Sequence, residues 1–173
     1  MAVGERAAAG GVICDAANAL LGARVTAGSV IALYSAKGSE VDTRSIDTRA
    51  RELGLVVAYP RVVASERVLA FHAVERDALA PSRFGLHEPS ADAPQVDLTE
   101  IAVFLVPGLA FDRAGGRLGW GRGHYDATFT AASPNALRVG LAYECQLIDQ
   151  VAREAHDVAL HILITEGATH VVG

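Results

Sequence analysis

Short apolar runs that alternate with segments of helical periodicity constrain the fold of this chain more than any other feature. Strand-length runs occur at 30–34, 55–59, 67–74, 101–106, 137–143, 158–165 and 169–172. Apolar residues at helical spacing predict helices over about 5–21, 46–53, 125–132 and 146–155. In the first of these, the apolar face is expected to contain Val12, Ile13, Ala16 and Leu20. Strands that alternate with helices indicate βαβ units. We therefore expect an α/β fold, a three-layer sandwich around a mainly parallel sheet with helices on both faces.

Length and composition set the protein class. The 173 residues fit one domain, so we expect 1–173 to form a single domain with a sizeable core. A hydrophobic share of 51% against 20% charged residues excludes a disordered chain. The net charge of −5 argues against a nucleic-acid or membrane-surface partner, because either would need a basic face. An anionic ligand must therefore be bound by local arginines.

The cysteines and the N-terminus indicate the compartment. Cys14 and Cys145 are too few for a disulfide framework or a zinc cluster, which favours reduced thiols. The N-terminus lacks the apolar core of a signal peptide, and no apolar run reaches the roughly 20 residues that span a bilayer. We expect a cytoplasmic protein that is a monomer or a weak homodimer.

A glycine-rich segment after the run 101–106 has a composition that no packed core requires. In chain order it contains Arg117, Leu118, Gly119, Trp120, Gly121, Arg122, Gly123, His124, Tyr125 and Asp126. Glycines at every second position remove the Cβ atoms that would keep a ligand from the backbone, and they leave N–H groups free to point at an anion. The two arginines suit phosphate oxygens, and the carboxylate of Asp126 suits the divalent cation that accompanies a nucleoside triphosphate. The segment predicts a polyphosphate-binding loop.

The alternative interpretation is a glycine-rich turn that serves only chain geometry. The position of the segment favours binding, because open α/β sheets bind ligands outside the carboxyl ends of their strands. The sequence matches neither G-x-x-x-x-G-K-[ST] nor G-x-G-x-x-G, which disfavours a P-loop NTPase and a dinucleotide-binding unit.

The stretch from Pro107 to Asp112, then Gly115, then Arg117 to Asp126 closely resembles the signature of the 5-formyltetrahydrofolate cyclo-ligases, also called methenyltetrahydrofolate synthetases. Weaker agreement runs through most of the chain. The resemblance implies ATP-dependent cyclisation of 5-formyltetrahydrofolate, with ATP as co-substrate and Mg²⁺ as cofactor. It also implies the fold shared by sugar-phosphate isomerases and coenzyme A transferases.

The resemblance also implies site residues. The catalytic set is Arg117, Arg122 and Tyr125, the ATP-binding set is 117–125, and Asp126 is the metal ligand. The residues expected to contact the folate are Tyr34, Glu40, Pro60, Phe84, Leu86, Trp120 and Tyr125.

Several of these residues have a second interpretation. Phe84 and Leu86 either pack against the faces of a pteridine ring or only anchor their loop to the core. Trp120 stacks on a ligand ring or packs, and Arg61 after Pro60 binds or is solvated. Asp42 or Thr43 is expected to cap the helix that follows.

The chain departs from the family pattern at three places. The family has a segment with a lysine and an arginine ahead of the first helix, which this chain lacks, and Arg6 is the candidate substitute. His161 stands where the family has an aspartate that is a metal neighbour, and Ala127 stands where many relatives have arginine. Either Asp126 and phosphate oxygens alone hold the metal, or metal handling has changed.

These departures keep open a folate-binding or regulatory relative without ATP turnover. A third possibility, a sugar-phosphate isomerase or transferase that would act without ATP, is supported only by analogy of fold.

Overall fold

An eight-stranded sheet forms the centre of the computed structural model, which describes residues 2–172 apart from the side chain of Phe84. The strands are β1 Val30–Ala32, β2 Val56–Arg61, β3 Ala70–Ala73, β4 Ala80–Pro81, β5 His87–Glu88, β6 Gln95–Val96, β7 Ile101–Val106, β8 Ala110–Phe111, β9 Arg117–Leu118, β10 Leu137–Leu141, β11 Ile162–Ile164 and β12 Thr169–Val171. The helices are α1 Val3–Arg24, α2 Arg44–Glu52 and α3 His124–Ala131. Short 3₁₀ turns lie at Arg76–Ala78, Arg83–Gly85, Leu98–Glu100 and Glu144–Gln146.

The large sheet has the strand order β12-β11-β10-β7-β1-β2-β3-β6. The five strands β11, β10, β7, β1 and β2 pair in parallel, while β12, β3 and β6 join antiparallel at the two sides. The pairs β4 with β5 and β8 with β9 form two small hairpins. The predicted α/β class with a mostly parallel sheet is confirmed.

Alternate side chains of the central strands enter two separate clusters. In β7, Val103 and Leu105 pack with α1 and α2 on one face of the sheet. Phe104 and Val106 pack on the other face with Phe129 of α3. This alternation follows from the two-residue side-chain period of a strand. Both faces of the sheet are therefore covered by helices.

Helix α1 is longer than the predicted 5–21, and its buried face is rotated from the predicted one. Ile13, Ala17 and Leu21 are fully buried at a spacing of four residues, whereas the predicted core residue Val12 is 51% exposed. Neighbouring residues of a helix point about 100° apart. The prediction was wrong for Val12 because an alanine-rich segment offers several equally apolar faces.

The predicted helix over 146–155 is wrong. The turn Glu144–Gln146 is followed by irregular chain. The backbone N–H of Ile148 donates to Phe111 O at 2.9 Å, and the N–H of Val151 donates to the carboxylate of Asp112 at 2.9 Å. These N–H groups are bonded to a segment distant in sequence, so they do not form the i→i−4 bonds of a helix.

The polar segment 90–99 contains β6, which pairs with β3 at the side of the sheet. The other predicted strands exist, but most are shorter than their apolar runs. Within residues 2–172, none of the helices combines the length and the apolar character that crossing a bilayer requires.

Candidate active site

A cavity of about 760 Å³ lies where the parallel strands β1, β2 and β7 end. This volume is within the range of roughly 300–1,000 Å³ that is typical of small-molecule sites. The predicted site residues that line it are Tyr34, Glu40, Pro60, Leu86, Arg117, Leu118, Gly119, Trp120, Gly121, Arg122, Gly123, His124, Tyr125 and Asp126. The side chain of Phe84 lies outside the described part of the chain. The structure thus brings four separate parts of the sequence to one cavity, and their individual roles remain predictions.

The hairpin of β8 and β9 leads into the glycine loop, defined here as residues 119–123. Gly121 and Gly123 have φ values of 77° and 64°, in the left-handed region that favours glycine. A Cβ at either residue would meet open space, so it is the backbone conformation that requires these two glycines. Gly119 differs, because a Cβ there would lie 2.9 Å from Nη1 of Arg117. The predicted reason for the glycines, the close approach of a ligand to the backbone, stays a prediction.

The backbone N–H groups of the glycine loop form a row of donors. Within residues 2–172, no protein acceptor takes the N–H groups of Trp120, Gly121 or Gly123. Gly123 is also the N-cap of α3, so the N–H groups of the first helical turn have no acceptor inside the helix. Such a row of N–H groups at a helix N-terminus favours a bound anion.

Arg117 provides a buried positive charge beside this row. Its side chain is only 7% exposed, and Nη2 donates to Oδ2 of Asp126 at 3.2 Å. The guanidinium carbon lies 5.0 Å from the centroid of the Tyr125 ring. The Nε atom is buried and has no acceptor in the described part of the chain. A ligand oxygen would therefore satisfy a donor that the protein leaves without a partner.

Asp126 is held by two donors. Besides the contact with Arg117, its Oδ1 accepts from the N–H of Val158 at 3.2 Å. Within residues 2–172, no group of three or more His, Cys, Asp or Glu side chains is arranged to hold a metal ion. One carboxylate nevertheless fits Mg²⁺, which commonly takes one or two protein carboxylates together with substrate phosphates and waters.

Three acidic or phenolic groups that line the cavity interact electrostatically with one another. Burial raises the pKa of Tyr34, Tyr125 and Glu40 above their ordinary values. The Tyr34 hydroxyl donates to Val41 O at 2.9 Å, so Tyr34 presents its ring rather than a free hydroxyl. Glu40 accepts from the N–H of Lys37 at 2.8 Å. Glu40 is therefore a half-buried carboxyl that can exchange hydrogen bonds with a ligand.

Hydrogen bonds at Arg61 and Val62 join the end of β2 to the segment 88–89. Nη1 of Arg61 donates to Pro89 O at 2.6 Å, and the N–H of the adjacent Val62 donates to Glu88 at 3.1 Å. These bonds fix the segment that carries Leu86 against the end of β2. The interpretation of Arg61 as a solvated residue is wrong.

Trp120 projects from the glycine loop. Its side chain is 73% exposed, and Nζ of Lys37 lies 5.8 Å from its ring centroid. The ring is outside the core, which leaves it available to a ligand at the cavity mouth.

At the start of α2, the capping prediction is correct for Asp42, which accepts from the N–H of Arg44 at 3.1 Å. Thr43 instead directs its hydroxyl to Tyr34 O at 2.7 Å.

Sequence reasoning missed some residues of the cavity and misplaced others. Arg67 and Glu154 line it, although they come from segments without a motif. Arg6 is not among the described lining residues, and its charge acts on Tyr143 instead. Asp157 also lines the cavity, and it accepts a hydrogen bond from the N–H of Glu154 at 2.8 Å.

His161 precedes β11 at the amino edge of the sheet, opposite the cavity. Its Nδ1 lies 3.1 Å from the N–H nitrogen of Arg138, and its Nε2 lies 2.7 Å from Nη2 of the same residue. Burial and the charge of Arg138 lower the pKa of His161. A neutral imidazole accepts at one nitrogen only, so one of these two donors lacks a proper acceptor. The side chain at position 161 therefore contacts Arg138 and does not reach a metal at the cavity.

His161→Asp is therefore expected to raise the free energy of unfolding by about 1–2 kcal/mol, because a carboxylate accepts from both donors of Arg138. Urea unfolding at pH 7.5 measures this, with His161→Asn as the uncharged control. The lowered pKa means that the unfolded chain binds more protons, so the wild type should lose stability as the pH falls below 6.5 and the aspartate variant should not share that loss. A less stable His161→Asp protein would contradict this assignment.

Comparison with known proteins supports the resemblance seen in the sequence. The profile of the 5-formyltetrahydrofolate cyclo-ligase family matches residues 15–166. The 5-formyltetrahydrofolate cyclo-ligase of Mycolicibacterium smegmatis is 34% identical over 143 residues, which cover 79% of this chain and 73% of that protein.

Two solved structures share the fold. The 5,10-methenyltetrahydrofolate synthetase of Aquifex aeolicus superposes with a TM-score of 0.81 at 23% identity, covering 99% of this chain and 85% of that one. The 5,10-methenyltetrahydrofolate synthetase of Mycoplasma pneumoniae gives a TM-score of 0.78 at 22% identity, covering 96% and 90%. With the profile match over most of its length, the chain belongs to the 5-formyltetrahydrofolate cyclo-ligase family.

Proposed function

We propose that this protein catalyses the ATP-dependent cyclisation of 5-formyltetrahydrofolate to 5,10-methenyltetrahydrofolate, with release of ADP and phosphate. The observation that carries the proposal is the set of N–H groups of Trp120, Gly121 and Gly123, which have no acceptor in the described part of the chain and lie beside the buried Arg117 on a cavity of about 760 Å³. Membership of the cyclo-ligase family supports the same reaction.

The coarse architecture leads to further proposals. With α1 and α2 on one face of the sheet and α3 on the other, we assign the chain to the three-layer class of sugar-phosphate isomerases and coenzyme A transferases. We also propose that 1–173 is one domain, a monomer or weak homodimer that functions in the cytoplasm. The free thiols of Cys14 and Cys145 support that compartment.

The chemical problem is that a formyl oxygen is a poor leaving group. In the proposed reaction the formyl oxygen attacks the γ-phosphorus of ATP, and the bond from that phosphorus to ADP breaks. The 10-nitrogen of the folate then attacks the formyl carbon and loses its proton. Finally the carbon–oxygen bond breaks and phosphate leaves. No covalent bond to the protein is needed.

Catalysis of phosphoryl transfer consists mostly of positioning and charge stabilisation. The N–H groups of the glycine loop bind phosphate oxygens, while Arg117 and Arg122 offset the negative charge that shifts in the transition state. Asp126 keeps Arg117 in place, as their 3.2 Å contact indicates. Tyr125 lies against Arg117 and lines the junction between the two substrates.

Asp126 would also supply one ligand to Mg²⁺. The bound ion would neutralise phosphate charge. Asp126 can serve both groups, since a carboxylate has about four lone-pair positions for acceptance.

The folate would occupy the wall formed by Tyr34, Glu40, Pro60 and Leu86. The rings and apolar side chains cover the faces of a flat pteridine. Glu40, whose pKa is raised by burial, accepts from or donates to the pterin edge. Trp120 closes the mouth over the ligand.

A spectrophotometric assay tests the function. Protein, Mg²⁺, ATP and 5-formyltetrahydrofolate are mixed, and the absorbance of methenyltetrahydrofolate is followed. We expect product only when ATP is present. Folate binding without product would instead support a non-catalytic folate-binding protein, and turnover of a sugar phosphate without ATP would support an isomerase or transferase.

A further inference from the structure

We propose that Arg67 is an additional phosphate-binding residue of the cavity and that His124 is the residue that positions it. The proposal rests on the proposed function, because it assigns Arg67 to the nucleotide polyphosphate. Arg67 precedes β3 and is remote in sequence from the glycine loop.

Arg67 is an exposed cation on the cavity wall. Within residues 2–172, neither a carboxylate nor any other acceptor binds its guanidinium. Arg117 is different, because its charge is already balanced by Asp126 at 3.2 Å. Arg67 therefore adds to the cavity a positive charge that the protein itself does not neutralise.

Two contacts hold the backbone of Arg67 next to the glycine loop. Nδ1 of His124 lies 2.8 Å from Arg67 O, and because a carbonyl only accepts, Nδ1 carries the hydrogen. The N–H of Leu69 donates to the Thr128 hydroxyl at 3.0 Å, and that hydroxyl donates to His124 O at 2.7 Å. The segment 67–69 is thus attached to the first turns of α3.

Because of this attachment, Arg67 lies near whatever ligand binds at the N-terminus of α3. His124 follows Gly123 directly and begins the helix whose N-terminal N–H groups have no acceptor inside the helix. An anion bound to those N–H groups lies near the point where Arg67 is anchored. A guanidinium fork matches phosphate oxygens, and a triphosphate carries more negative charge than the Arg117–Asp126 pair offsets.

Calorimetric titration of the full chain with Mg-ATP, and separately with 5-formyltetrahydrofolate, tests the assignment. Arg67→Ala is expected to weaken ATP binding about tenfold and leave folate affinity unchanged. Arg67→Lys keeps the charge without the fork and should recover part of the loss. Arg24→Ala, which removes an exposed arginine at the opposite edge of the sheet, is the matched control and should bind ATP like the wild type.

Unchanged ATP affinity in Arg67→Ala would overturn the assignment. If Arg67→Ala instead lost affinity only for mono- or triglutamyl 5-formyltetrahydrofolate, the assignment would also be overturned, because Arg67 would then bind folate carboxylates. If the wild type binds ATP through Arg67 yet forms no methenyltetrahydrofolate, the proposed function fails and the assignment stands. A wild type that binds no ATP overturns both.

The positioning role of His124 is tested with His124→Phe, which keeps an aromatic ring and removes the Nδ1 donor. We expect ATP affinity to fall in this variant and to show no further fall when Arg67→Ala is added. Losses that multiply in the double variant would mean that His124 acts independently of Arg67, which contradicts the positioning role.

Discussion

Arg117→Ala should lower kcat/KM for the cyclisation by about 10²- to 10³-fold, or about 3–4 kcal/mol of transition-state stabilisation. The guanidinium is 7% exposed and has a buried Nε without a protein acceptor. Its charge is therefore little screened by water and is directed at a ligand. Steady-state kinetics with both substrates varied measures the effect.

Arg117→Lys separates charge from geometry. A lysine keeps the charge but not the planar fork, so its activity should lie between those of the wild type and the alanine variant. Circular dichroism of each variant checks that the fold is retained while Asp126 loses its partner. If Arg117→Ala kept turnover within about threefold, less than about 1 kcal/mol, the catalytic role would be wrong.

Asp112→Asn should lower the free energy of unfolding by about 3–5 kcal/mol. The Asp112 side chain is 1% exposed, and its oxygens accept from the N–H groups of Ala114 at 2.9 Å, Gly116 at 2.8 Å and Val151 at 2.9 Å. Arg153 donates to it at 3.0 Å. An amide presents one oxygen where the carboxylate had two, so at least one buried donor loses its acceptor.

Urea unfolding at neutral pH measures this loss, and Asp92→Asn, at an exposed position, is the control. Burial by itself would raise the pKa of Asp112, but the hydrogen bonds and Arg153 lower it overall. The stabilisation is thus present above the unfolded pKa of about 3.9 and is lost as the pH falls through the lower folded value. A variant as stable as the wild type would show that Asp112 does not hold the turn ahead of Arg117.

The parts of the fold that local sequence determines were predictable. Strand β7 begins and ends where its apolar run does, because a central strand buried on both faces needs continuous apolar residues. The glycine loop was predictable from its composition, and the structure adds that Gly121 and Gly123 have left-handed conformations that few other residues adopt.

Other parts depend on contacts between distant segments, which periodicity does not report. The carboxylate of Asp112 takes the N–H of Val151 and prevents the helix that the apolar spacing there suggested. Arg67 lines the cavity, and its carbonyl contacts His124, which is 57 positions away in the sequence. His161 appeared to replace a metal neighbour, since sequence alone does not reveal that it faces Arg138.

The most direct test of the account follows the backbone amides of the glycine loop by ¹H–¹⁵N NMR while Mg-ATP is added. The account predicts large, saturable shifts for Trp120, Gly121, Gly123 and His124, and small ones for amides at the amino edge of the sheet. Shifts confined to other parts of the protein, with these four resonances unchanged at saturating ATP, would contradict the claim that this backbone binds the phosphates.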